Sequence, residues 1–133
     1  GYLVNWIAGH TDRFAALISH AGVYNFKGQF ASDLTHFREV SYGGSPWSNA
    51  DQLDKYNPAE YAHNFKTPML IMHGEKDYRV VVTQGLELYG VLQGKGLPSR
   101  LVYFPNENHW VLSPQNSVYW FKEFKDWLDR WLK

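Results

Sequence analysis

Three short apolar runs, at residues 15–20, 68–74 and 99–105, constrain the fold of this 133-residue chain more than any other feature. The run PMLIMHG at 68–74 lacks the polar alternation of a half-exposed strand, which is typical of a strand buried on both faces of a sheet. Segments with helical periodicity lie at the start of the chain, between the second and third runs, and at the end. This order predicts an α/β fold with about three parallel strands and flanking helices.

Residues 24–66 interrupt this regular order, and we expect them to form an irregular segment, called the excursion below. The stretch has scattered aromatic residues, the turn-rich sequence YGGSPWSN at 42–49, and no sustained periodicity. We expect one or two short helices in it, following Asn49 and Pro58. A segment of this length inside a compact domain is often a functional loop or a cap.

Two longer helices are predicted in the second half of the chain. One covers residues 83–93, between the second and third strands. The other begins at Pro114 and runs through Lys133, with Ser113 as its N-terminal cap. The spacing of its residues predicts a buried face made of Val118, Phe121, Phe124, Lys125, Leu128 and Leu132.

The composition excludes several classes of function. Lys and Arg together number 13, as do Asp and Glu, so we expect no basic face for nucleic acid or for a membrane surface. No apolar run approaches the roughly 20 residues that span a bilayer. The chain has no cysteine, and its six histidines form no short chelating pattern, so we expect neither a metal site nor a cofactor. Nothing in the composition assigns a compartment.

Two chemically useful side chains follow the second and third predicted strands. Asp77 comes three residues after Gly74, and His109 comes five residues after Phe104. Because ligands of parallel sheets bind beyond the carboxyl ends of the strands, we expect the two side chains to meet there. Asp77 can then accept a hydrogen bond from His109 Nδ1 and leave Nε2 free as a general base. An acid followed by a histidine on the last two strands is the order expected of α/β-hydrolases.

The residues alone leave alternatives open. Glu75 and Glu107 are competing acids, and an isolated Asp in a loop is more often structural than catalytic. The nucleophile elbow G-x-S-x-G is absent from the sequence. Ser19 and Ser45 lack the flanking glycines of that motif, and Ser113 is explained as a helix cap, so none of the three is a credible nucleophile.

Four blocks of sequence carry a family resemblance: GYLVNW (1–6), HTDRFAALISHAGV (10–23), NFKTPMLIMHGEKDYRV (64–80) and YFPNENHW (103–110). Together they resemble the catalytic domain of the prolyl oligopeptidase family of serine peptidases, in its acylaminoacyl-peptidase and dipeptidyl-peptidase-like branch. The resemblance implies the C-terminal portion of an α/β-hydrolase fold. Residues 1–133 would then form a single partial domain with the last three of eight strands, and without the family's propeller domain.

The resemblance also implies roles for particular residues. The family's elbow resembles G-x-S-x-G-G-Y, and Gly1-Tyr2 matches its end, so the nucleophilic serine would lie three residues before Gly1. Asp77 matches the triad acid, and His109 matches the triad base. Substrate contacts are expected from the excursion and from the residues that follow the first strand, Ala21, Gly22, Val23 and Tyr24.

Two positions depart from the family's usual pattern. Val81 stands where members commonly have proline, and Asn108 stands where they commonly have glycine before the histidine. Since asparagine tolerates a positive φ better than most residues, the loop before His109 is expected to survive the second change.

We therefore expect a fragment of a serine peptidase that hydrolyses short peptides, or peptides with acylated N-termini, through an acyl-enzyme. Without the serine, the chain is predicted to be inactive by itself. A related esterase or lipase-type hydrolase is one alternative, and a non-catalytic self-associating domain is another. The exposed edge of the first strand predicts a homo-oligomer, because an unpaired strand edge is a template for association.

Overall fold

The fold is built on a three-stranded parallel sheet. In the computed structural model, which describes residues 1–132, the strands are β1 (Leu17–His20), β2 (Met69–Gly74) and β3 (Ser99–Phe104). Their order across the sheet is β1-β2-β3, with Leu17 beside Met69 and Met69 beside Ser99. The predicted α/β class and its three parallel strands are confirmed. Because the strands are parallel, their carboxyl ends lie at one edge of the sheet.

Helices cover much of the remaining chain. Their bounds are α1 (Tyr2–Ala8), α2 (Phe26–Phe30), α3 (Thr35–Tyr42), α4 (Ala50–Lys55), a 3-10 helix (Pro58–Asn64), α5 (Thr83–Gly94) and α6 (Pro114–Trp131). The excursion thus holds four short helices, where one or two were expected. Of these four, α4 and the 3-10 helix lie where the sequence predicts them.

The two unexpected helices are held by side-chain contacts rather than by their own periodicity. At the start of α2, Asn25 Oδ1 accepts a hydrogen bond from the Lys27 amide at 3.0 Å. In α3, the Arg38 guanidinium is buried and donates to Asp33 Oδ1 at 3.2 Å and to the Arg79 carbonyl at 2.7 Å. The partners at Asp33 and Arg79 lie outside the helix, so the contacts that hold Arg38 cannot be predicted from residues 35–42 alone.

The core lies on both faces of β2, as its continuous apolar sequence predicts. Met69 and Ile71 pack on one face with residues of α1, α5 and the excursion, and Leu70 and Met72 pack on the other face with β3 and α6. All four side chains are at most 1% exposed. Each such burial stabilises the fold by about 1.5–3 kcal/mol, so β2 is the structural centre of the domain.

Helix α6 presents to the sheet a face that matches the predicted one only at Phe124 and Leu128, which are half-buried. Val118, Phe121 and Leu132 are exposed, and Lys125 is exposed as well. The core on the Leu70 and Met72 face of β2 is called the second core below. The side chains of α6 that pack in it are Trp120, Phe124, Trp127 and Trp131. Glu123 lies on this inward side because its carboxylate pairs with Arg100 of β3 at 2.7 Å. The helix ends at Trp131, and Lys133, where its end was predicted, lies outside the described residues.

Within residues 1–132, β1 pairs with β2 alone, and its other edge has no strand beside it. Association through this edge stays a prediction, which gel filtration of the protein would check. No helix in the described part of the chain is long and apolar enough to cross a membrane.

Candidate active site

Asp77 and His109 meet at the carboxyl edge of the sheet. Asp77 lies in the loop that follows β2, and His109 lies in the loop that follows β3. The His109 Nδ1–H group donates a hydrogen bond to Asp77 Oδ2 at 2.7 Å. The carboxylate is buried, whereas the His109 side chain is 34% exposed. This arrangement places the proton on Nδ1 and leaves Nε2 as the basic nitrogen, since Nε2 has no hydrogen-bond partner within residues 1–132.

The backbone and a second histidine hold Asp77 in its ionised form. Its Oδ1 accepts hydrogen bonds from the amides of Arg79 at 3.0 Å and Val80 at 2.8 Å. Burial raises the pKa of the carboxyl, but contacts with His73, Val80 and His109 outweigh that effect. The pKa of Asp77 therefore lies below its ordinary value of 3.8.

His73, at the end of β2, supports the loop that carries Asp77 from within the core. This loop, residues 75–82, is called the acid loop below. Its ring is fully buried, and its Nε2–H group donates to the Val80 carbonyl at 2.7 Å. The same nitrogen lies 3.5 Å from Asp77 Oδ2. A Cβ atom at Gly85 of α5 would lie 2.7 Å from His73 Nδ1, so only glycine lets α5 approach this ring. This role of His73 was not predicted from the sequence, although its place at the end of a buried strand was a usable signal.

Glu107 is a structural residue of the loop that carries His109. This loop, residues 105–113, is called the base loop below. Its buried carboxylate accepts hydrogen bonds from the Leu112 amide at 2.8 Å, from the Ser113 amide and from Asn116 Nδ2 at 2.7 Å. Hydrogen bonds from Ser113 and Asn116 hold its pKa below the ordinary value of 4.5. Ser113 directly precedes α6, but its hydroxyl makes no capping hydrogen bond, so the predicted side-chain cap is wrong. Glu107 instead accepts a hydrogen bond from the amide of Ser113, the residue directly before the helix.

Glu75 joins the acid loop to the base loop. Its carboxylate accepts a hydrogen bond from the Asn106 amide at 3.1 Å, and its own amide donates to the Phe104 carbonyl. The Lys76 amide donates to the Glu107 carbonyl at 2.8 Å. Of the three candidate acids, Asp77 is therefore the one that the structure brings to His109.

Asn108 does not strain the base loop. Positive φ occurs on either side of the histidine, at Asn106 (φ 65°) and Val111 (φ 52°), but not at Asn108. The Asn108 side chain accepts a hydrogen bond from the Trp110 amide at 2.9 Å. The departure from glycine at this position is therefore compatible with the observed path of the loop around His109.

Gly74 is the point of closest approach between the two loops. A Cβ atom there would lie 2.4 Å from the Asn108 carbonyl oxygen and 2.6 Å from that of Glu107. We expect Gly74→Ala to lower the free energy of unfolding by about 1–3 kcal/mol, because these backbone atoms must move. Denaturant-induced unfolding measures the effect. Gly90→Ala, in α5 with open space around it, is the matched control, and we expect it to be stabilising by about 0.5–1 kcal/mol. Equal stability of the two variants would contradict the prediction.

A cleft of about 450 Å³ opens beside the acid and base. Its walls include the exposed rings of Tyr78 and Trp110. Arg79 also lines it, and the Arg79 guanidinium donates to Asp33 Oδ2 at 3.1 Å. The cleft leaves room for a ligand next to the His109 imidazole.

The four predicted substrate contacts lie at the end of β1, and three of them are buried. Ala21 has φ 44°, and its amide donates to the Met72 carbonyl at 2.9 Å. Gly22 packs against Gly1. Tyr24 lies in the core, and burial raises the pKa of its hydroxyl to about 12. These three residues shape the backbone, and their contact with a substrate stays a prediction.

The fourth, Val23, is half-buried and lines a second cavity of about 610 Å³. The aromatic residues of this cavity are Tyr2, Phe26, Tyr42 and Tyr56. The Phe26 and Tyr42 rings stack with their centroids 4.4 Å apart. A contact between Val23 and a substrate also stays a prediction. Within residues 1–132 no cluster of three or more His, Asp or Glu side chains is arranged to hold a metal ion.

The chain is similar to known proteins both in sequence and in structure. The sequence model of the prolyl oligopeptidase family matches residues 1–133. The chain is 40% identical to the dipeptidyl-peptidase 5 of Schizosaccharomyces pombe, over 100% of this chain and 20% of that relative. Its structure is similar to that of the acylaminoacyl peptidase of Pyrococcus horikoshii, with a TM-score of 0.91 and 30% identity over 98% of this chain and 22% of that one.

A second similar structure is an acylaminoacyl peptidase in complex with Z-Gly-Gly-Phe-chloromethyl ketone. The TM-score is 0.92, with 31% identity over 99% of this chain and 22% of that one. The chain thus spans about a fifth of the length of the proteins it matches. These matches confirm the resemblance that the four sequence blocks indicate, and they confirm the α/β-hydrolase fold.

Proposed function

This chain belongs to the prolyl oligopeptidase family, and from that premise we propose that it supplies the acid and the base of a serine peptidase. Asp77 is the acid that orients the imidazole, and His109 is the general base. The observation that carries the proposal is the 2.7 Å hydrogen bond from His109 Nδ1 to the buried carboxylate of Asp77. It fixes the tautomer in which Nε2 can accept a proton.

We place the nucleophilic serine three residues before Gly1. The support is the position of Gly1 against the end of β1: a Cβ atom there would lie 2.6 Å from the His20 carbonyl oxygen. His20 in turn contacts the His109 carbonyl, so the start of α1 and the base share one edge of the sheet. Three residues of chain span at most about 10 Å, so a serine at that position stays close to this edge.

The chemistry proposed for the whole protein is acyl transfer. The serine oxygen attacks the substrate carbonyl while His109 Nε2 takes its proton. The same nitrogen then gives that proton to the leaving amine. Asp77 stays ionised throughout and stabilises the imidazolium that forms, which its lowered pKa supports. Water completes the cycle by the same route and releases the acyl group.

The substrates proposed are short peptides or peptides with acylated N-termini. Two relatives support this: one is named as a dipeptidyl-peptidase, and one similar structure holds the peptide derivative Z-Gly-Gly-Phe-chloromethyl ketone. The aromatic cavity that Tyr2 and Val23 line is suited to an apolar side chain. Residues 1–133 by themselves are proposed to be inactive, because a triad without its nucleophile has no attacking atom.

A fluorophosphonate probe, which labels activated serines covalently, tests the proposal. We expect labelling of the protein that includes the upstream sequence, and loss of labelling when the serine three residues before Gly1 is replaced by alanine. We expect no labelling of residues 1–133 alone. Labelling of that chain would show that one of its own serines is activated and would overturn the proposal.

Substrate class requires a separate measurement on the protein with its upstream sequence. We expect kcat/KM to be higher for dipeptidyl or N-acyl aminoacyl amides than for p-nitrophenyl esters of simple acids. Turnover of esters alone would favour the esterase alternative, since the same groups carry out both kinds of acyl transfer.

A further inference from the structure

His20 lies between the base loop and helix α6 and touches both. It is the last residue of β1, and its Nε2 lies 2.9 Å from the carbonyl oxygen of His109. Its Nδ1 lies 2.9 Å from Nε1 of Trp120, in α6. An indole nitrogen only donates, so His20 Nδ1 must be the acceptor, and the ring proton must be on Nε2. His20 Nε2–H therefore donates to the His109 carbonyl, and the two partners fix the tautomer.

The surroundings of His20 keep its ring neutral. Burial lowers its pKa below the ordinary value of 6.5, and a proton on His109 or His73 would lower it further. The hydrogen bond to the His109 carbonyl opposes these effects without reversing them. A proton on Nδ1 would also face the Trp120 N–H group and break that hydrogen bond.

The contact acts on the part of the base loop that the acid does not hold. Asp77 orients the His109 ring through Nδ1, but the direction of the ring also depends on the backbone that carries it. That backbone runs between two residues of positive φ, Asn106 and Val111. His20 fixes the His109 carbonyl within this tight segment. The imidazole is thus held at two points, its own Nδ1 and the carbonyl of its own residue.

Trp120 is itself well placed to hold His20. Its ring packs edge-on against the His20 ring, with centroids 5.6 Å apart and an interplanar angle of 78°. Another neighbour is Phe124, on which it stacks at 5.2 Å. Because Trp120 and Phe124 both pack against the second core, the position of His20 is tied to the inward face of α6.

We propose that His20, held by Trp120, is a positioning residue that fixes the backbone of His109 and thereby the direction in which His109 Nε2 points. The catalytic consequence rests on the proposed function, whereas the positioning itself does not. A displacement of a catalytic atom by about 1 Å can lower the rate by up to about 100-fold.

Three variants of the protein with its upstream sequence test this proposal. His20→Leu removes both hydrogen bonds and is expected to lower kcat by about 10- to 100-fold, with KM changed by less than about threefold. His20→Gln keeps an acceptor and a donor and is expected to restore most of kcat. Trp120→Phe removes the donor to Nδ1 and is expected to give an intermediate kcat. His10→Leu, at an exposed position after α1 and outside the excursion, is the matched control and is expected to leave kcat unchanged.

Proton NMR of the same proteins, with 15N in their histidine rings, gives a measurement independent of turnover. We expect His20 to be neutral with its proton on Nε2 at pH 7. We also expect the exchange-protected proton of His109 Nδ1 to lose protection in His20→Leu and to keep it in His20→Gln. If His20→Leu does not fold, two other measurements test the positioning role of His20. They are the protection of the His109 Nδ1 proton in Trp120→Phe and the tautomer of His20 in the unchanged protein.

The outcomes separate the two proposals. If the parent protein is active and all three variants keep its kcat, His20 is not a positioning residue. If the parent neither labels with the serine probe nor hydrolyses peptides, the proposed function fails, and NMR alone decides the role of His20. A His109 Nδ1 proton that stays equally protected in His20→Leu, or a His20 ring protonated on Nδ1, would then overturn the positioning.

Discussion

Replacing His109 by glutamine is expected to lower kcat/KM for peptide hydrolysis by about six orders of magnitude in the protein that carries the upstream sequence. Glutamine can still donate a hydrogen bond toward Asp77, but its amide cannot accept and return a proton near neutral pH. The residual rate then comes from binding and electrostatic stabilisation alone. Steady-state kinetics with a chromogenic peptide substrate measures the loss.

The matched control is His10→Gln, the same change at an exposed histidine that follows α1 and lies outside the excursion. We expect it to keep kcat/KM within about twofold, because surface substitutions away from the site have small effects. Both variants should unfold within about 1 kcal/mol of the unchanged protein. Activity of the His109 variant within tenfold of the parent would remove His109 from the role of general base.

Asp77→Asn is expected to lower kcat by about 10⁴-fold while KM changes little. The hydrogen bonds from the Arg79 and Val80 amides to Oδ1 can persist in the variant, so the acid loop keeps its path. At the other position of the side chain, an amide N–H group would replace Oδ2 and donate to His109 Nδ1. The imidazole proton then moves to Nε2, and the nitrogen that should accept the serine proton is already occupied. A pre-steady-state measurement of acylation reports this step directly.

Asp12→Asn, an exposed aspartate at the start of the chain, serves as the control for this change, and we expect it to retain full activity. A pH titration of stability adds a check on the charge of Asp77. Since its folded pKa lies below 3.8, Asp77 contributes stability above that pH, and the contribution is lost as pH falls through the lower, folded pKa. Asp77→Asn should remove this part of the acid dependence. A variant with undiminished kcat would show that Asp77 does not orient the base.

The sequence predicted the sheet well because its signal is local and strong. The run at 68–74 is apolar throughout, and a strand of this kind needs helices on both faces, which the structure provides. The face of α6 was predicted only in part, at Phe124 and Leu128, because apolar residues occur around much of that helix. One contact on the inward face, between Arg100 and Glu123, joins residues on two elements. It has no signature within the helix itself.

The same distinction applies to the candidate site. Asp77 and His109 could be found from the sequence, since each follows a recognisable strand and parallel strands end at one edge. The roles of Glu107 and His20 could not be found in this way. They depend on which backbone atoms the loops present to each other, and that is set by strand register and packing. The Ser113 hydroxyl was therefore wrongly expected to cap α6.

The two connections of the sheet differ in length, and this difference separates two parts of the site during folding. The segment from β2 to β3, residues 75–98, is half as long as the segment from β1 to β2, residues 21–68. Contacts that join distant parts of the chain form more slowly than contacts between near neighbours in sequence. Asp77 and His109 are separated by 32 positions and belong to the β2-α5-β3 half, whereas His20 and His109 are 89 positions apart. The acid–base contact can thus assemble locally, and the contact that fixes its direction is completed when the distant first strand docks.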